Sequence, residues 1–259
     1  MEISAKAVME LRAKTNVSMM ACKKALVQAN GDQDAAIDIL RKSGEAKALS
    51  KADRETHEGI ITAYISSDNK KGVLTQVLCE TDFVARSDDF INMAEDITNH
   101  ASKDGTEAAK AAAVEKLQQA VITLGENIQL ENVEELTGDF VGMYIHANKK
   151  VGAIVSFEGN ISEEAARDVA MQVVASQPQV VNPEDMDSSL VEKEAEIAKE
   201  QLRKEGKPEA MLDKIIEGKL KKFREENALL TQAFIKDPSK QVKDTLGGAK
   251  IMKFVRFAV

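Results

Sequence analysis

Tryptophan is missing from this chain, tyrosine occurs twice, and with eight phenylalanines the aromatic residues reach only 4 %. The core must therefore be built from aliphatic side chains, and an exposed aromatic ring would be conspicuous. Two cysteines, Cys22 and Cys79, are too few for a disulfide framework and show no CxxC spacing, which points to a reduced, cytoplasmic setting. His57, His100 and His146 stand far apart without metal-ligand spacing. The longest apolar run, 151–157, contains Gly152 and Ser156 and is far too short to span a bilayer. Glu2 and Lys6 interrupt any secretory apolar segment. Basic residues are outnumbered, 35 against 43 acidic, for a net charge of −8. That balance excludes a nucleic-acid binder relying on general basicity, because phosphate neutralisation needs a surplus of Lys and Arg. The phosphate-cradling loops GxxxxGKS/T and GxGxxG are absent, as are the GxSxG elbow and the HExxH helix. Motif evidence therefore favours a binding protein over a bond-making enzyme, and no cofactor or metal is expected.

What is present fills 259 residues, room for about 1.7 ordinary domains and hence two or three compact units. Residues 1–44 read as three short helices. The first carries Ile3, Ala7, Val8 and Leu11 and ends near Lys14. The second opens at Ser18 as N-cap and stops at Gly31. The third is capped by Asp32, carries Ala35, Ala36, Ile39 and Leu40, and stops at Gly44. A polar connector follows. His57–Ser66 and Gly72–Thr81, rich in Ile, Val, Thr and Tyr around a polar turn, read as a β-hairpin. Helices are expected over Ser87–Lys103, Thr106–Leu124 and Ser162–Ser176, and strands over Ile128–Leu136, Phe140–His146 and Val151–Phe157. From Asn182 the pattern is helical and highly charged, with Pro183 in the first turn. Val191, Ala195, Ala198 and Leu202 form one narrow apolar stripe; Leu212, Ile216, Leu220 and Phe223 form another after Gly206-Lys207-Pro208. This predicts an antiparallel helical hairpin that projects outward. A short helix over Ser239–Leu246 and a terminal strand over Ile251–Val259 complete the chain.

An internal repeat runs through the middle. Tyr64-Ile65 followed by Lys70-Lys71-Gly72-Val73 compares with Tyr144-Ile145 followed by Lys149-Lys150-Val151-Gly152, the tyrosines standing 80 residues apart. Two similar subdomains side by side are the natural reading, and the fold class is α+β. The expected division is a three-helix domain with linker over 1–54 and a core subdomain over 55–139. A second core subdomain over 140–181 is completed by 228–259, and the helical hairpin spans 182–227.

The most informative local feature is Cys79-Glu80-Thr81-Asp82-Phe83-Val84-Ala85-Arg86, where a strand ends and a helix begins. Phe83 reads in two ways: a core side chain anchoring the helix start, favoured by periodicity alone, or a protruding wedge beside Asp82. Cys79 reads as a small buried apolar residue rather than a reactive thiol.

The residues Thr15–Leu26 with Ala29-Asn30-Gly31-Asp32, and the segment Cys79–Arg86, resemble two signatures of the bacterial elongation factor Ts family. Gly125-Glu126-Asn127-Ile128, Tyr144-Ile145-His146, Lys207-Pro208-Glu209, Glu217–Phe223 and Phe254-Val255-Arg256-Phe257 extend the resemblance, in family order, over essentially the whole chain. It implies a guanine-nucleotide exchange factor for the GTPase elongation factor Tu, with a ubiquitin-associated-like N-terminal domain, a duplicated core and a coiled-coil hairpin. On this resemblance Thr81, Asp82, Phe83 and Val84 enter the GTPase near its magnesium site, and the wedge reading of Phe83 overtakes the other. Arg12, Met19, Met20, Ile235 and Lys236 would touch the nucleotide domain, while Leu124, Gly125, Glu126 and His146 would face another domain. Ordinary helix packing for the methionines and a purely structural His146 remain open alternatives. Asn16 stands where the family usually has Gly, Ala21 where it usually has Asp, and Lys236 where relatives carry an apolar residue. Some members continue past the final strand into a further helical module, so contacts from that module are not expected here. No direct nucleic-acid or membrane partner is implied, and the narrow hairpin stripe is compatible with a dimer of heterodimers or with a solvated hairpin. A scaffold or chaperone-like partner of the same GTPase, without exchange activity, is the alternative reading.

Overall fold

The structure, a computed structural model, describes residues 3–15, 19–42 and 51–259. Helices α1 (Ala5–Thr15), α2 (Met19–Gln28) and α3 (Gln33–Lys42) pack around Leu11, Cys22, Leu26, Ala36 and Leu40. Gly31, at φ 91°, ends α2, and Asp32 caps α3 by accepting from the Ala35 N–H at 2.8 Å. The expected cap Ser18 and stop Gly44 lie outside the described residues, as does the connector through residue 50.

Strands β1 (Glu58–Ile65), β2 (Lys71–Cys79) and β3 (Ile128–Thr137) form one antiparallel sheet in that order. A second three-stranded antiparallel sheet is built from β4 (Phe140–Ile145), β5 (Val151–Glu158) and the terminal β8 (Lys250–Ala258). Ile61, Leu74 and Leu136 of the first sheet meet Val141, Ile154 and Val255 of the second in one apolar cluster, so the sheets stack face to face. Beyond the first sheet lie α5 (Asp88–Asp104) and α6 (Thr106–Leu124), and beyond the second lies α7 (Glu163–Ser176). A sheet covered on both faces explains why Gly72 through Val77 of β2 are all buried, a continuous buried run rather than an alternation.

The repeat has a register that corrects the sequence comparison by one residue. The matched lysine pairs do not coincide; instead positions within the two hairpins are offset by 80, setting Asn69 against Lys149 and Gly72 against Gly152. Asn69 and Lys149 both take left-handed backbone, φ 56° and 55°, in the hairpin turns. The equivalence is reciprocal across the sheet stack. The Ile61 N–H donates to Lys149 O at 2.7 Å, and the Val141 N–H donates to Asn69 O at 2.6 Å. A Cβ at Gly72 would sit 2.7 Å from Val141 Cγ1, and one at Gly152 would sit 3.0 Å from Ile61 Cγ2. The edge pairings break register at Gln76/Val77 and Ser156/Phe157, again the same step of the repeat. The two sheets are thus related by an approximate two-fold axis.

Two elements differ from expectation. Pro183 opens a separate 3-10 turn, Pro183–Asp185, closed by the Asn182–Asp185 capping box, and the long helix α8 (Ser188–Lys204) begins only after its own cap at Asp187. The stretch 239–246 is not one helix. Residues Asp237–Gln241 form β7, paired with β6 (Ala233–Phe234), and a 3-10 turn Val242–Thr245 follows. Helix α9 (Glu209–Asn227) packs antiparallel on α8. Val191, Ala198, Leu202 and Leu212 are buried between them, while Ala195, Ile216, Leu220 and Phe223 are only half-buried.

Candidate functional site

Between β2 and α5 the chain makes a single helical turn, α4 (Asp82–Ala85), with Thr81 as its N-cap. One turn presents opposite faces two residues apart. Ala85 is buried and Val84 packs beside it on the core, whereas Phe83 points away and is 84 % exposed. The helix start is anchored instead by Phe90, fully buried in α5. Asp82 pairs with Arg86 one turn on, at 2.9 Å. Ser87 joins the two helices: its hydroxyl donates to Val84 O at 2.8 Å and accepts from the Phe90 N–H at 3.4 Å.

The turn is braced from below and from the side. The Cys79 thiol donates to Thr81 O at 3.2 Å; its burial, and then the charge of Glu126, push that thiol up to about 12. At such a value the sulfur stays protonated and unreactive near neutral pH. The Glu126 carboxylate accepts from the backbone N–H groups of Glu80 and Thr81, at 3.1 and 3.0 Å, and from the Thr81 hydroxyl. Glu80 answers by accepting from the Asn127 N–H at 2.6 Å, and Arg54 lies 3.4 Å from the Glu80 carboxylate. The Asn127 amide donates to Arg54 O at 2.7 Å, and Lys51 donates to Gly125 O, so the connector from the N-terminal helices is tied to the same place. Gly125 ends α6 at φ 82°, a left-handed cap.

The remaining expected residues divide by location. Arg12 is exposed on α1 and borders a crevice of about 360 Å³ whose lining includes Thr15, Ala52, Leu117, Val121 and Asn127. Met19 and Met20, 37 % and 59 % exposed, start α2 facing away from the bundle core. Leu124 is half-buried against the cluster beneath Phe83. His146 is exposed at the β4–β5 turn, its Nδ1 3.1 Å from Asn148 Oδ1. Ile235 and Lys236 form the turn between β6 and β7. The fully buried Gln172 of α7 accepts from the Ile235 N–H at 2.8 Å, and Lys236 pairs with Asp168 at 2.7 Å. Among the described residues, Ile235, Lys236 and His146 make no hydrogen bond to the Thr81–Val84 turn.

Sequence reading missed the bracing role of Glu126, Glu80 and Asn127, and that of Gln172. The signal for the first set is strand pairing: Cys79 opposes Ile128, and continuing that register one and two steps sets Glu80 against Asn127 and Thr81 against Glu126. Among the described residues no group of three His, Cys, Asp or Glu is placed to hold a metal ion, and no helix is long and apolar enough to cross a membrane.

The geometry is that of a braced turn holding one aromatic ring in solvent on a duplicated α+β core. Comparison with known proteins gives the family. The family profile described as Elongation factor TS matches residues 80–259. The elongation factor Ts of Christiangramia forsetii is 44 % identical over 271 aligned residues, covering 100 % of this chain and 99 % of the relative. Those of Pasteurella multocida, at 44 % with 92 % of the relative covered, and Aquifex aeolicus, at 40 % with 98 % covered, are similar along their length. The chain belongs to the elongation factor Ts family, and its role is in translation elongation.

Proposed function

We propose that this protein is a guanine-nucleotide exchange factor for elongation factor Tu, making and breaking no covalent bond itself. Phe83 carries the reading: in a chain poor in aromatics, one ring is held out of the core on a turn hydrogen-bonded at both ends, through Thr81 and Ser87. The physics is linkage. A factor that binds the nucleotide-free GTPase better than the nucleotide-bound form accelerates release, and bound nucleotide weakens the factor's grip by the same ratio. Magnesium bridges phosphate oxygens to protein ligands in strict octahedral geometry. On this reading Thr81, Asp82, Phe83 and Val84 enter near that site and shift the elements holding it, with Phe83 as the inserted side chain. Arg12, the flexible Met19 and Met20, and Ile235 and Lys236 supply contacts to the nucleotide domain, with Leu124, Gly125 and His146 facing another domain of the partner. Functionally the chain divides into a three-helix domain and linker (1–54), two core halves (55–139, and 140–181 with 228–259) and a hairpin (182–227).

Stopped-flow release of fluorescent GDP from elongation factor Tu tests this. Adding the protein should raise the off-rate, and Phe83→Ala should cut that stimulation by about 30-fold, the scale of an aromatic hot spot worth about 2 kcal/mol. An off-rate unchanged by the wild-type protein would exclude exchange and leave a scaffold role.

A further inference from the structure

We propose that Glu126 acts inside the molecule as the positioning residue of the Asp82-Phe83 turn, rather than as a contact to the partner; this rests on the exchange-factor reading above. The carboxylate is already committed. One oxygen accepts from two successive backbone N–H groups, Glu80 and Thr81, at 3.1 and 3.0 Å, and the other takes the Thr81 hydroxyl proton. That last bond sets the orientation of the cap. A threonine hydroxyl has one proton and two lone pairs. With the proton spent on Glu126, a lone pair faces the Val84 N–H, which lies 3.4 Å away and closes the first turn of α4. The chain of donors therefore runs from Val84 through Thr81 to Glu126, and it ends on a carboxylate.

The arrangement extends the β2–β3 ladder with side chains. Past Cys79 opposite Ile128 the strands diverge. Glu126 then accepts from the Glu80 backbone, and Glu80 accepts from the Asn127 backbone at 2.6 Å. Two carboxylates replace the carbonyls that a regular ladder would supply, and they leave the backbone free to turn into α4. Without Glu126, two part-buried N–H groups lose their acceptor and the Thr81 proton is free to rotate. The turn then samples orientations in which Phe83 is not presented. The apparent efficiency of a site falls in proportion to the fraction of molecules in the competent state.

The test is a double-mutant cycle read by GDP release from elongation factor Tu. Glu126→Ala should lower kcat/KM for stimulated release about tenfold, corresponding to a competent fraction near one tenth. Glu126→Gln should stay within about threefold of wild type, because its amide oxygen still accepts from both N–H groups while its NH2 can donate to Thr81 Oγ1. Adding Glu126→Ala to Phe83→Ala should cost little beyond Phe83→Ala alone, since orienting an absent ring gains nothing. Multiplicative losses would show that Glu126 acts independently of Phe83 and would overturn the proposal while leaving the exchange reading intact. A Glu126→Ala protein at the wild-type rate would overturn it equally. Should Glu126→Ala fail to fold by thermal melting, Thr81→Val against Thr81→Ser runs the same cycle at the other end of the bond, with the serine expected to rescue. A wild-type protein that does not stimulate release, or a Phe83→Ala protein at full rate, would instead sink the underlying reading, and the proposal with it.

Discussion

Four positions separate Cys79 from Phe83, yet one is sealed and the other stands in solvent. Burial comes first in raising the Cys79 thiol from near 9 to about 12, and the negative Glu126 adds to it. In the native protein the thiol keeps its proton to higher pH than in the unfolded chain. Stability from this group is therefore fully present below about pH 9 and is lost as pH rises toward 12, by at most about 1.4 kcal/mol per pH unit. Urea unfolding between pH 8 and 11 should show a shallower alkaline decline for Cys79→Ala than for wild type. Identical slopes would mean that the thiol carries none of it. The inert reading of Cys79 was legible from its place in an apolar strand. The exposure of Phe83 was not legible from periodicity, because residues 82–85 are too few to show a period, and only the family resemblance pointed to a protruding ring. Phe90, by contrast, falls in register with Ala94, Ile97 and Ala101, and the helical spacing marks it as core.

Among the elements, the paired hairpins make the sharpest stability prediction. Gly72 lies where the two sheets approach, and a Cβ there would overlap both Val141 and Ile65. Gly72→Val should therefore destabilise the fold by about 3 kcal/mol, the upper range for overpacking a tight interior, although valine is the better strand former. Guanidinium unfolding of the variant checks it; a cost below about 1 kcal/mol would mean that the sheets separate freely. Long elements of this kind were readable from the chain: the hairpins, α5, α6 and α7 follow from periodicity and capping serines such as Ser87 and Ser162. Short ones were not. Asp237–Gln241 contains Pro238 and no β-branched residue, so its strand character comes only from pairing with Ala233–Phe234. Pro183 fits the first position of a 3-10 turn as well as that of an α-helix, and only the Asn182–Asp185 box separates the two. The same limit hid the bracing role of Glu126. Its partners are far away in sequence, and the β2–β3 pairing that brings them together is a property of the sheet.

At the scale of the whole molecule, the acidic chain and its spread of exposed methionines bear on how an exchange factor divides its binding energy. Contacts that are equally good to the nucleotide-bound and nucleotide-free partner raise affinity for both and shift nothing. On the proposed function, Met19 and Met20 on α2 belong to that uniform class, and Phe83 to the discriminating one. The two classes make opposite predictions for a ratio. Titration calorimetry with elongation factor Tu, free of nucleotide and saturated with GDP, gives two dissociation constants whose quotient is the coupling. Met20→Ala should weaken both by a similar factor, about five- to tenfold for an exposed apolar contact worth about 1 kcal/mol or slightly more, and leave the quotient unchanged. Phe83→Ala should instead weaken the nucleotide-free complex far more than the GDP complex, so that the quotient collapses toward one. Because linkage is reciprocal, that collapse must equal the loss in the factor's ability to weaken GDP binding, measured independently on the same proteins. A Phe83→Ala variant that lowers both affinities equally would make the ring an anchor and not a wedge, and the discrimination would then have to arise from the broader surface.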